Sequence, residues 1–390
     1  MPPPDTGARP ARFPNQRAGS THFVPTSIER VEAAGYTVPT DLPEADGTLR
    51  WDSTTVVVAT VRAAGELGTG WTYTSEAAAE LLDGVLARVA VGEDPFDVGG
   101  IHERAVRAVR NIGRPGVAAA AVSALDIALW DLKARLLGIS LVGLFGRHRA
   151  SVPVYGSGGF TTYDDRTTTA QLEGWVDDDG VADVKIKIGE SWGTNPGRDM
   201  ERVRLARKVV SEGVGLMVDA NGAYTVGQAR RMGRRMHEEA DIGWFEEPVS
   251  SDDLLGLRFL RGVLDADVAA GEYGYDETYF ARMLAADAVD CLQVDVTRCG
   301  GYTTWLRAAA QAGARNLQIS GHCSPNLHAH VAAAVPNLRH VELFHDHRRV
   351  DTLLFDGVLE PSGGKLSPDP DRPGHGMTLR VSDAAVYRVA

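Results

Sequence analysis

The stretch VKIKIG, residues 184–189, has the alternation of a short β-strand that is buried on both faces. Side chains two residues apart share one face of a strand, so Lys185 and Lys187 point the same way and the apolar residues between them point the other way. This pattern predicts that the apolar side chains face helices and that the lysines face a shared interior. Two adjacent ammonium groups disfavour each other's charge, so we expect one lysine pKa to fall, which would suit a base.

Similar strands, each followed by a helical pattern, recur along the chain after about residue 151. Their polar or charged ends are spaced 20 to 32 residues apart. These ends are Tyr155, Lys187, Asp219, Glu246, Glu272, Asp295, His322 and Glu342. Eight such units predict a TIM-type α/β barrel, in which catalytic groups lie at the carboxyl ends of the strands. The alternative is an open doubly wound sheet, but no glycine-rich phosphate loop follows the first strand.

The segments before and after these repeated units have other sequence patterns. Residues 1–20 are rich in Pro, Gly and Arg and predict a flexible tail. Residues 21–148 combine a β-branched run, 54–61, with two helical patterns, one after Thr74 or Ser75 and one over 117–137, so we expect a separate α+β domain. The barrel is then expected over 149–350, and residues 351–390 are expected to return to the α+β domain.

Charge and composition exclude several classes of function. The 390 residues carry a formal net charge of −12, which disfavours nucleic-acid binding. No apolar run is long enough to span a membrane, and the longest, 117–130, contains Asp126. The only cysteines, Cys291, Cys299 and Cys323, form no C-x-x-C pair, so we expect reduced thiols in a cytoplasmic protein.

Three acidic residues end successive predicted strands and can converge. Asp219, Glu246 and Glu272 would repel one another unless a cation neutralised them, and an all-oxygen set favours Mg²⁺ over Zn²⁺. Independent surface acids are the alternative. Asn221 is expected to face inward beside Asp219, and only one of Glu246 and Glu247 can face in.

The last three strand ends supply a second proton-transfer group. Asp295 can fix the tautomer of His322, and Glu342 could donate a hydrogen bond if burial raised its pKa. A metal site flanked by lysine and by a His–Asp pair suits removal of the proton next to a carboxylate. The other histidines in this half are predicted to be surface or packing residues: His328, His330, His340, His345 and His347.

These motifs resemble those of the mandelate racemase branch of the enolase superfamily, over roughly residues 20–390. The resemblance rests on Lys185-Ile-Lys187, Asp219-Ala-Asn221, Glu246-Glu-Pro, Gly271-Glu272, Asp295 with Arg298-Cys-Gly-Gly, Gly321-His322 and Glu342. The muconate-cycloisomerase-like branch carries a lysine in place of Asp295, which makes lactonising or dipeptide epimerase activity less favoured.

The resemblance implies an α+β domain that caps a (β/α)7β barrel, and one Mg²⁺ per subunit on Asp219, Glu246 and Glu272. It assigns the acid/base roles to Lys187 and to His322 with Asp295. It implies that Lys185 helps to hold the substrate carboxylate and that Glu342 is the electrophilic partner. A homo-oligomer is also expected.

The expected reaction is dehydration of a sugar acid to a 2-keto-3-deoxy acid. A pocket lined by Lys185, Asn221 and Tyr155 would suit a polyhydroxy carboxylic acid as the small-molecule substrate. The main alternative is a racemase or epimerase of a 2-hydroxy acid. Two remote alternatives are a barrel that binds a ligand without turnover and a phosphate-binding aldolase, which would need a glycine-rich loop that His322-Cys-Ser-Pro-Asn does not provide.

Overall fold

The computed structural model describes residues 26–390 and contains a small antiparallel sheet and a closed parallel barrel. The antiparallel strands are β1 (Arg30–Ala45), β2 (Arg50–Ala63) and β3 (Glu66–Tyr73). The barrel strands are β4 (Val152–Gly158), β5 (Asp183–Lys187), β6 (Gly215–Asp219), β7 (Ile242–Glu246), β8 (Asp267–Ala270), β9 (Cys291–Val294), β10 (Gln318–Gly321) and β11 (Leu338–Phe344). Because β11 also pairs in parallel with β4, the eight strands form a ring. The predicted barrel is confirmed, and the open doubly wound sheet is excluded.

Helices cover both units. In the capping unit they are α1 (Ala77–Leu81), a π-helical turn (Leu82–Leu86), α2 (Ala87–Ala90), α3 (Val98–Ala108), α4 (Val117–Leu136) and α5 (Leu141–Phe145). Around the barrel they are α6 (Asp165–Glu173), a second π-helical turn (Gly174–Asp178), α7 (Glu190–Gly193), α8 (Pro196–Val210), α9 (Val226–Ala240), α10 (Leu254–Arg261), α11 (Glu277–Ala285), α12 (Gly301–Gly313), α13 (Pro325–Ala332) and α14 (His345–Leu354). The Thr225 side chain caps α9 by accepting from the Gln228 backbone N–H.

The capping unit is built on the contact between β3 and α4. Strand β3 was not predicted, because its sequence ELGTGWTY contains two glycines that weaken a strand pattern. The structure gives the reason for them: a Cβ on Gly70 would lie 2.3 Å from the Ala124 carbonyl oxygen, and one on Gly68 would lie 2.2 Å from the Ala128 carbonyl oxygen. Only glycine lets the helix backbone approach the strand this closely.

The register of the barrel strands collects the polar strand ends at one rim. Lys187 pairs with Asp219, and Asp219 pairs with Glu246, along β5, β6 and β7. The outward apolar residues of these strands, such as Val184 and Ile186, are fully buried against the surrounding helices. The alternation in residues 184–189 therefore separates a helix-facing core from a polar interior, as the sequence predicts.

The end of the chain contacts both units. Strand β12 (Phe355–Asp356) pairs with β14 (Thr378–Leu379), whereas β13 (Lys365–Leu366) pairs antiparallel with barrel strand β4. A short helix, α15 (Val381–Ala384), and a 3₁₀ turn (Ala385–Tyr387) then lead to a bridge between Arg388 and Tyr36 of the cap. No helix among residues 26–390 is long and apolar enough to cross a membrane. The predicted flexible tail, residues 1–20, lies outside the described residues.

Candidate active site

The three predicted metal ligands lie together at the carboxyl rim of the barrel. Asp219 and Glu246 are the last residues of β6 and β7, and Glu272 follows β8 by two residues. All three are buried, and each offers a carboxylate oxygen that lies within 4.8 Å of the other two. Gly271 makes this possible, because its φ of +136° turns the chain where a Cβ would lie 2.1 Å from the Gln293 carbonyl oxygen.

Both lysines of β5 point toward this cluster of three carboxylates. The Lys187 Nζ atom lies 2.5 Å from Asp219 Oδ2, and Lys185 Nζ lies 2.5 Å from Glu246 Oε1. Burial alone would lower their pKa values, but the surrounding carboxylates, with Asp219 foremost for Lys187 and Glu246 for Lys185, raise both. The expectation that one lysine pKa falls is therefore wrong for this arrangement. The strand pattern shows the neighbouring lysine but not the carboxylates across the rim.

His322 and Asp295 form the predicted pair on the other side of the rim. His322 Nδ1 lies 2.8 Å from Asp295 Oδ2, and its Nε2 lies 3.3 Å from Glu272 Oε2. Although burial opposes the charge, the neighbouring Cys323 and Glu272 and the bond to Asp295 raise the pKa of His322 well above its usual value. The ring therefore carries a proton that Nε2 can present toward the carboxylate group.

Asp295 is held in a fixed orientation by its own neighbours. Thr297 donates to Asp295 Oδ1 from both its backbone N–H and its hydroxyl, each at 2.7 Å. This leaves Oδ2 for the histidine. Burial would raise the pKa of Asp295, but its bond to His322 and the nearby Arg298 guanidinium lower it, so the group stays ionised.

Glu342 does not have the protonation state that we expected. Its Oε1 atom accepts from Ser157 Oγ at 2.5 Å and lies 2.8 Å from Lys185 Nζ, and its Oε2 accepts from the Cys323 backbone N–H at 2.8 Å. Burial favours the neutral acid, but Lys185 and the other nearby cations lower the pKa well below the usual range. In this arrangement Glu342 is an ionised acceptor, so the expectation of a raised pKa is wrong.

Tyr155 lies deeper in the barrel than predicted. Its ring packs within the barrel interior in a cluster with Met217, Trp244, Ala269 and Cys291. Its hydroxyl accepts a hydrogen bond from Lys185 Nζ at 3.4 Å, so Tyr155 contacts that lysine from the barrel interior. The residue of β4 that reaches the rim is Ser157, two positions further on. Ser157 was not predicted, because GSGG, residues 156–159, carries no charged residue to mark the strand end.

Two further residues lie at the rim. Asn221, predicted to bind substrate, follows β6 with a φ of +46°, and its Oδ1 atom is buried without a hydrogen-bond partner among the described residues. Glu247, which the strand alternation predicts to face away, is also buried, because a φ of +35° turns the chain at that residue. Burial, followed by repulsion from Glu272 and Asp219, raises the pKa of Glu247 well above its usual value.

Arg298 was quoted in the sequence motif without a role, and the structure gives it one. Its Nη1 atom lies 3.2 Å from Glu272 Oε1, and its Nε atom lies 3.4 Å from Asp295 Oδ2. The guanidinium thus links Glu272, one of the predicted metal ligands, to Asp295 of the His–Asp pair. A basic residue three positions after the aspartate was the signal that could have identified it.

The charge of the rim fits a divalent cation. Six carboxyl groups surround four cationic groups: Asp219, Glu246, Glu247, Glu272, Asp295 and Glu342 against Lys185, Lys187, His322 and Arg298. Burial, together with Asp219 and Glu342, raises the pKa of Glu246 to about 7 even though Lys185 opposes the shift. One oxygen of Glu247 has no hydrogen-bond partner within residues 26–390. Buried carboxyl oxygens without a donor, and carboxyl pKa values that mutual repulsion raises, mark an environment in which Mg²⁺ would stabilise the ionised carboxylates.

An eight-stranded barrel with this rim beneath an α+β cap defines a class of barrel enzymes, and sequence comparison identifies the family. Residues 167–384 match the description "Enolase C-terminal domain-like", and residues 39–146 match "Mandelate racemase / muconate lactonizing enzyme, N-terminal domain". The chain belongs to the mandelate racemase/muconate lactonizing enzyme family of the enolase superfamily, as the motifs predict.

Individual relatives support the same placement. The L-talarate/galactarate dehydratase of Salmonella typhimurium LT2 is 32% identical over 83% of this chain and 80% of its own length. Its crystal structure with Mg and L-lyxarohydroxamate has a TM-score of 0.85 at 27% identity, covering 99% of this chain and 98% of that one. The 3,6-anhydro-alpha-L-galactonate cycloisomerase of Streptomyces coelicolor is 31% identical over 90% of this chain and 97% of its length.

A more similar solved structure gives no particular reaction. A mandelate racemase/muconate lactonizing enzyme-like protein from Rubrobacter xylanophilus is 49% identical with a TM-score of 0.89, covering 93% of this chain and all of that one. The family is therefore established, and homologues include sugar-acid dehydratases and racemases.

Proposed function

We propose that this protein is a Mg²⁺-dependent dehydratase of a sugar acid. It would remove the C2 proton next to the substrate carboxylate and then expel the 3-hydroxyl as water, which gives a 2-keto-3-deoxy acid. The observation that carries the proposal is the position of two proton-transfer residues on opposite sides of the cluster formed by Asp219, Glu246 and Glu272. Lys187 reaches Asp219 from β5, and His322 reaches Glu272 from β10.

The metal site would lie between these two groups. Mg²⁺ held by Asp219, Glu246 and Glu272 would stabilise the negative charge that develops on the substrate carboxylate and would offset the carboxylate charge that raises the lysine pKa values. The remaining steps belong to residues of the chain. Lys185 is placed to donate a hydrogen bond to the substrate carboxylate, and the oxygen of Asn221 can accept one from a substrate hydroxyl.

Both side groups are cationic beside the free carboxylates, so their charge states alone do not divide the roles. We assign Lys187 to take the C2 proton, because Mg²⁺ on Asp219 would offset the charge that keeps this lysine protonated. His322 is then the group that protonates the departing 3-hydroxyl. Asp295 orients the imidazole through Nδ1 and leaves Nε2 directed at the substrate.

The main alternative is a racemase or epimerase of a 2-hydroxy acid, and the same two-sided geometry favours it. The two reactions share the first step. In the second, a racemase returns a proton to the opposite face of C2, whereas a dehydratase protonates the leaving hydroxyl. Relatives named as dehydratases, of talarate and galactarate and of arabinonate, favour dehydration.

A screen against aldonic and aldaric acids with detection of 2-keto products tests the proposal. We expect Mg²⁺-dependent keto-acid formation from at least one sugar acid, and none from Lys187→Ala or His322→Asn. His148→Gln is the matched control, since His148 is an exposed histidine away from the rim. Epimer formation without keto acid would favour the racemase, and full dehydratase activity in metal-free buffer would exclude the proposed mechanism.

A further inference from the structure

A second cluster of potential metal ligands lies outside the active-site rim, where the cap meets the barrel. Asp41 and Glu44 come from the end of β1, and His345 begins α14 of the barrel. Each offers one ligand atom, and these atoms lie within 4.8 Å of one another. The cluster therefore spans two parts of the fold that are about 300 positions apart in the sequence.

The Glu44 carboxyl group has one oxygen atom that lacks a hydrogen-bond partner among the described residues. The residue is fully buried, and its Oε2 atom accepts from Trp51 Nε1 at 2.8 Å. Its Oε1 atom has no hydrogen-bond partner among the described residues. A buried carboxyl oxygen without a partner is costly, and such oxygens normally find a donor, a cation or a metal. Burial and the nearby Asp346 raise the pKa of Glu44 to about 8, as expected for a carboxyl group that lacks a cation beside it.

The neighbouring charges do not supply that cation. Asp346 adds a further carboxylate next to Glu44, and the nearest guanidinium, on Arg349, bonds to Asp346 Oδ1 at 3.0 Å and to the Pro39 carbonyl oxygen at 2.5 Å. Asp41 is bonded to His345, with 3.1 Å between Oδ2 and Nε2. Three carboxyl groups thus share one guanidinium and one imidazole.

The spacing suits a metal ion. Ligand bonds of about 2.0–2.2 Å in tetrahedral or octahedral geometry separate the donor atoms by about 3.0–3.6 Å. The Asp41–His345 distance already lies in that range, and the partly exposed Asp41 and His345 side chains can adjust toward the fixed Glu44 oxygen. A mixed set of one imidazole and two carboxylates favours Zn²⁺, whereas the all-oxygen rim favours Mg²⁺.

We propose that Asp41, Glu44 and His345 form a Zn²⁺ site that ties the end of β1 in the cap to helix α14 of the barrel. Water would complete the coordination on the exposed side. The same strand end is already fixed to the barrel, since the Thr161 backbone N–H donates to the Ala45 carbonyl oxygen at 2.8 Å. The ion would hold the cap against the barrel rim, and this role is separate from the chemistry of the rim.

Zn²⁺ titration of the full chain by calorimetry, in saturating Mg²⁺, tests the proposal. We expect one Zn²⁺ per chain, with affinity at least about tenfold weaker in His345→Gln and in Glu44→Gln, because each removes a direct ligand. His148→Gln, an exposed histidine elsewhere, should bind as the parent does. Circular dichroism checks that each variant folds, and His345→Gln decides the outcome if Glu44→Gln does not fold.

One competing site has to be separated from the proposed one. His322, Cys323 and Glu342 also place their ligand atoms within 4.8 Å, and a thiolate attracts Zn²⁺. We expect Cys323→Ala to keep the Zn²⁺ that His345→Gln loses. Zn²⁺ binding that survives in His345→Gln within twofold of the parent, or that disappears only in Cys323→Ala, would overturn the proposal.

Discussion

Replacing Asp295 by Asn should invert the hydrogen-bonding direction at His322 without changing the size of the side chain. Both donors of Thr297 hold one oxygen of Asp295, each at 2.7 Å, so the amide oxygen of Asn is expected to stay there. Its NH₂ group would then face His322 Nδ1. The imidazole would become an acceptor at Nδ1 and would lose the adjacent negative charge, so its cationic form would be disfavoured.

The size of the effect follows from the bond that is lost. The 2.8 Å contact between His322 Nδ1 and Asp295 Oδ2 is a buried charge-assisted hydrogen bond. Such a bond contributes about 1.5–3 kcal/mol. Since 1.36 kcal/mol is tenfold in rate, we expect kcat to fall roughly 10- to 150-fold, and the pH profile of kcat to lose the limb that reports the histidine.

Steady-state kinetics across pH, on the substrate found by the screen, measure this change. Asp290→Asn is the matched control, because Asp290 immediately precedes β9 and pairs with Arg261 at 2.7 Å, at the opposite end of the strand from Asp295. The control should keep the parent kcat. An Asp295→Asn variant with kcat within twofold of the parent and an unchanged pH profile would refute the role given to the pair.

Other expected outcomes address the metal, the stability and the assembly. Chelation should abolish turnover and added Mg²⁺ should restore it, whereas Glu246→Ala should stay inactive; full activity of Glu246→Ala without metal would contradict the ligand assignment. Burial raises the pKa of Asp351 to about 7, so the folded chain keeps a proton that the unfolded chain releases above about pH 4. Asp351 should therefore contribute a fall in the free energy of unfolding of up to about 1.4 kcal/mol per pH unit between those values, and Asp351→Asn should remove that contribution from the slope measured in urea melts. An Asp351→Asn slope equal to that of the parent would argue against the shift. Light scattering should show a homo-oligomer, and a fully active monomer of 41.8 kDa would contradict that prediction.

The barrel and much of its rim could be predicted because parallel strands buried on both faces read as apolar runs, and a charged residue at the end of such a run is conspicuous. Asp219 and Glu246 illustrate this. Ser157 and β3 could not be predicted in the same way, because glycine-rich stretches have weak periodicity and their requirement comes from tertiary contacts. Glu247 faces the site only because its backbone adopts a positive φ.

Protonation states were the least accessible part of the site. The strand pattern placed Lys185 beside Lys187 and left Glu342 without any known neighbour. The pKa of each group depends on partners from strands far apart in sequence, such as the Lys185 contact with Glu342 at 2.8 Å. Pairwise contacts across a closed barrel are fixed by register and twist, and a linear sequence does not give them.

Dehydration and epimerisation are distinguished by following the preferred substrate in D₂O by NMR. If the protein is a dehydratase, we expect a 2-keto-3-deoxy product that has lost its C2 proton, no accumulation of the C2 epimer, and a His322→Asn variant that still exchanges the C2 proton without forming product. Lys187→Ala should do neither. Return of the substrate as its C2 epimer with deuterium at C2 and no keto acid would contradict dehydration, and normal exchange in both variants would contradict the assignment of base and acid.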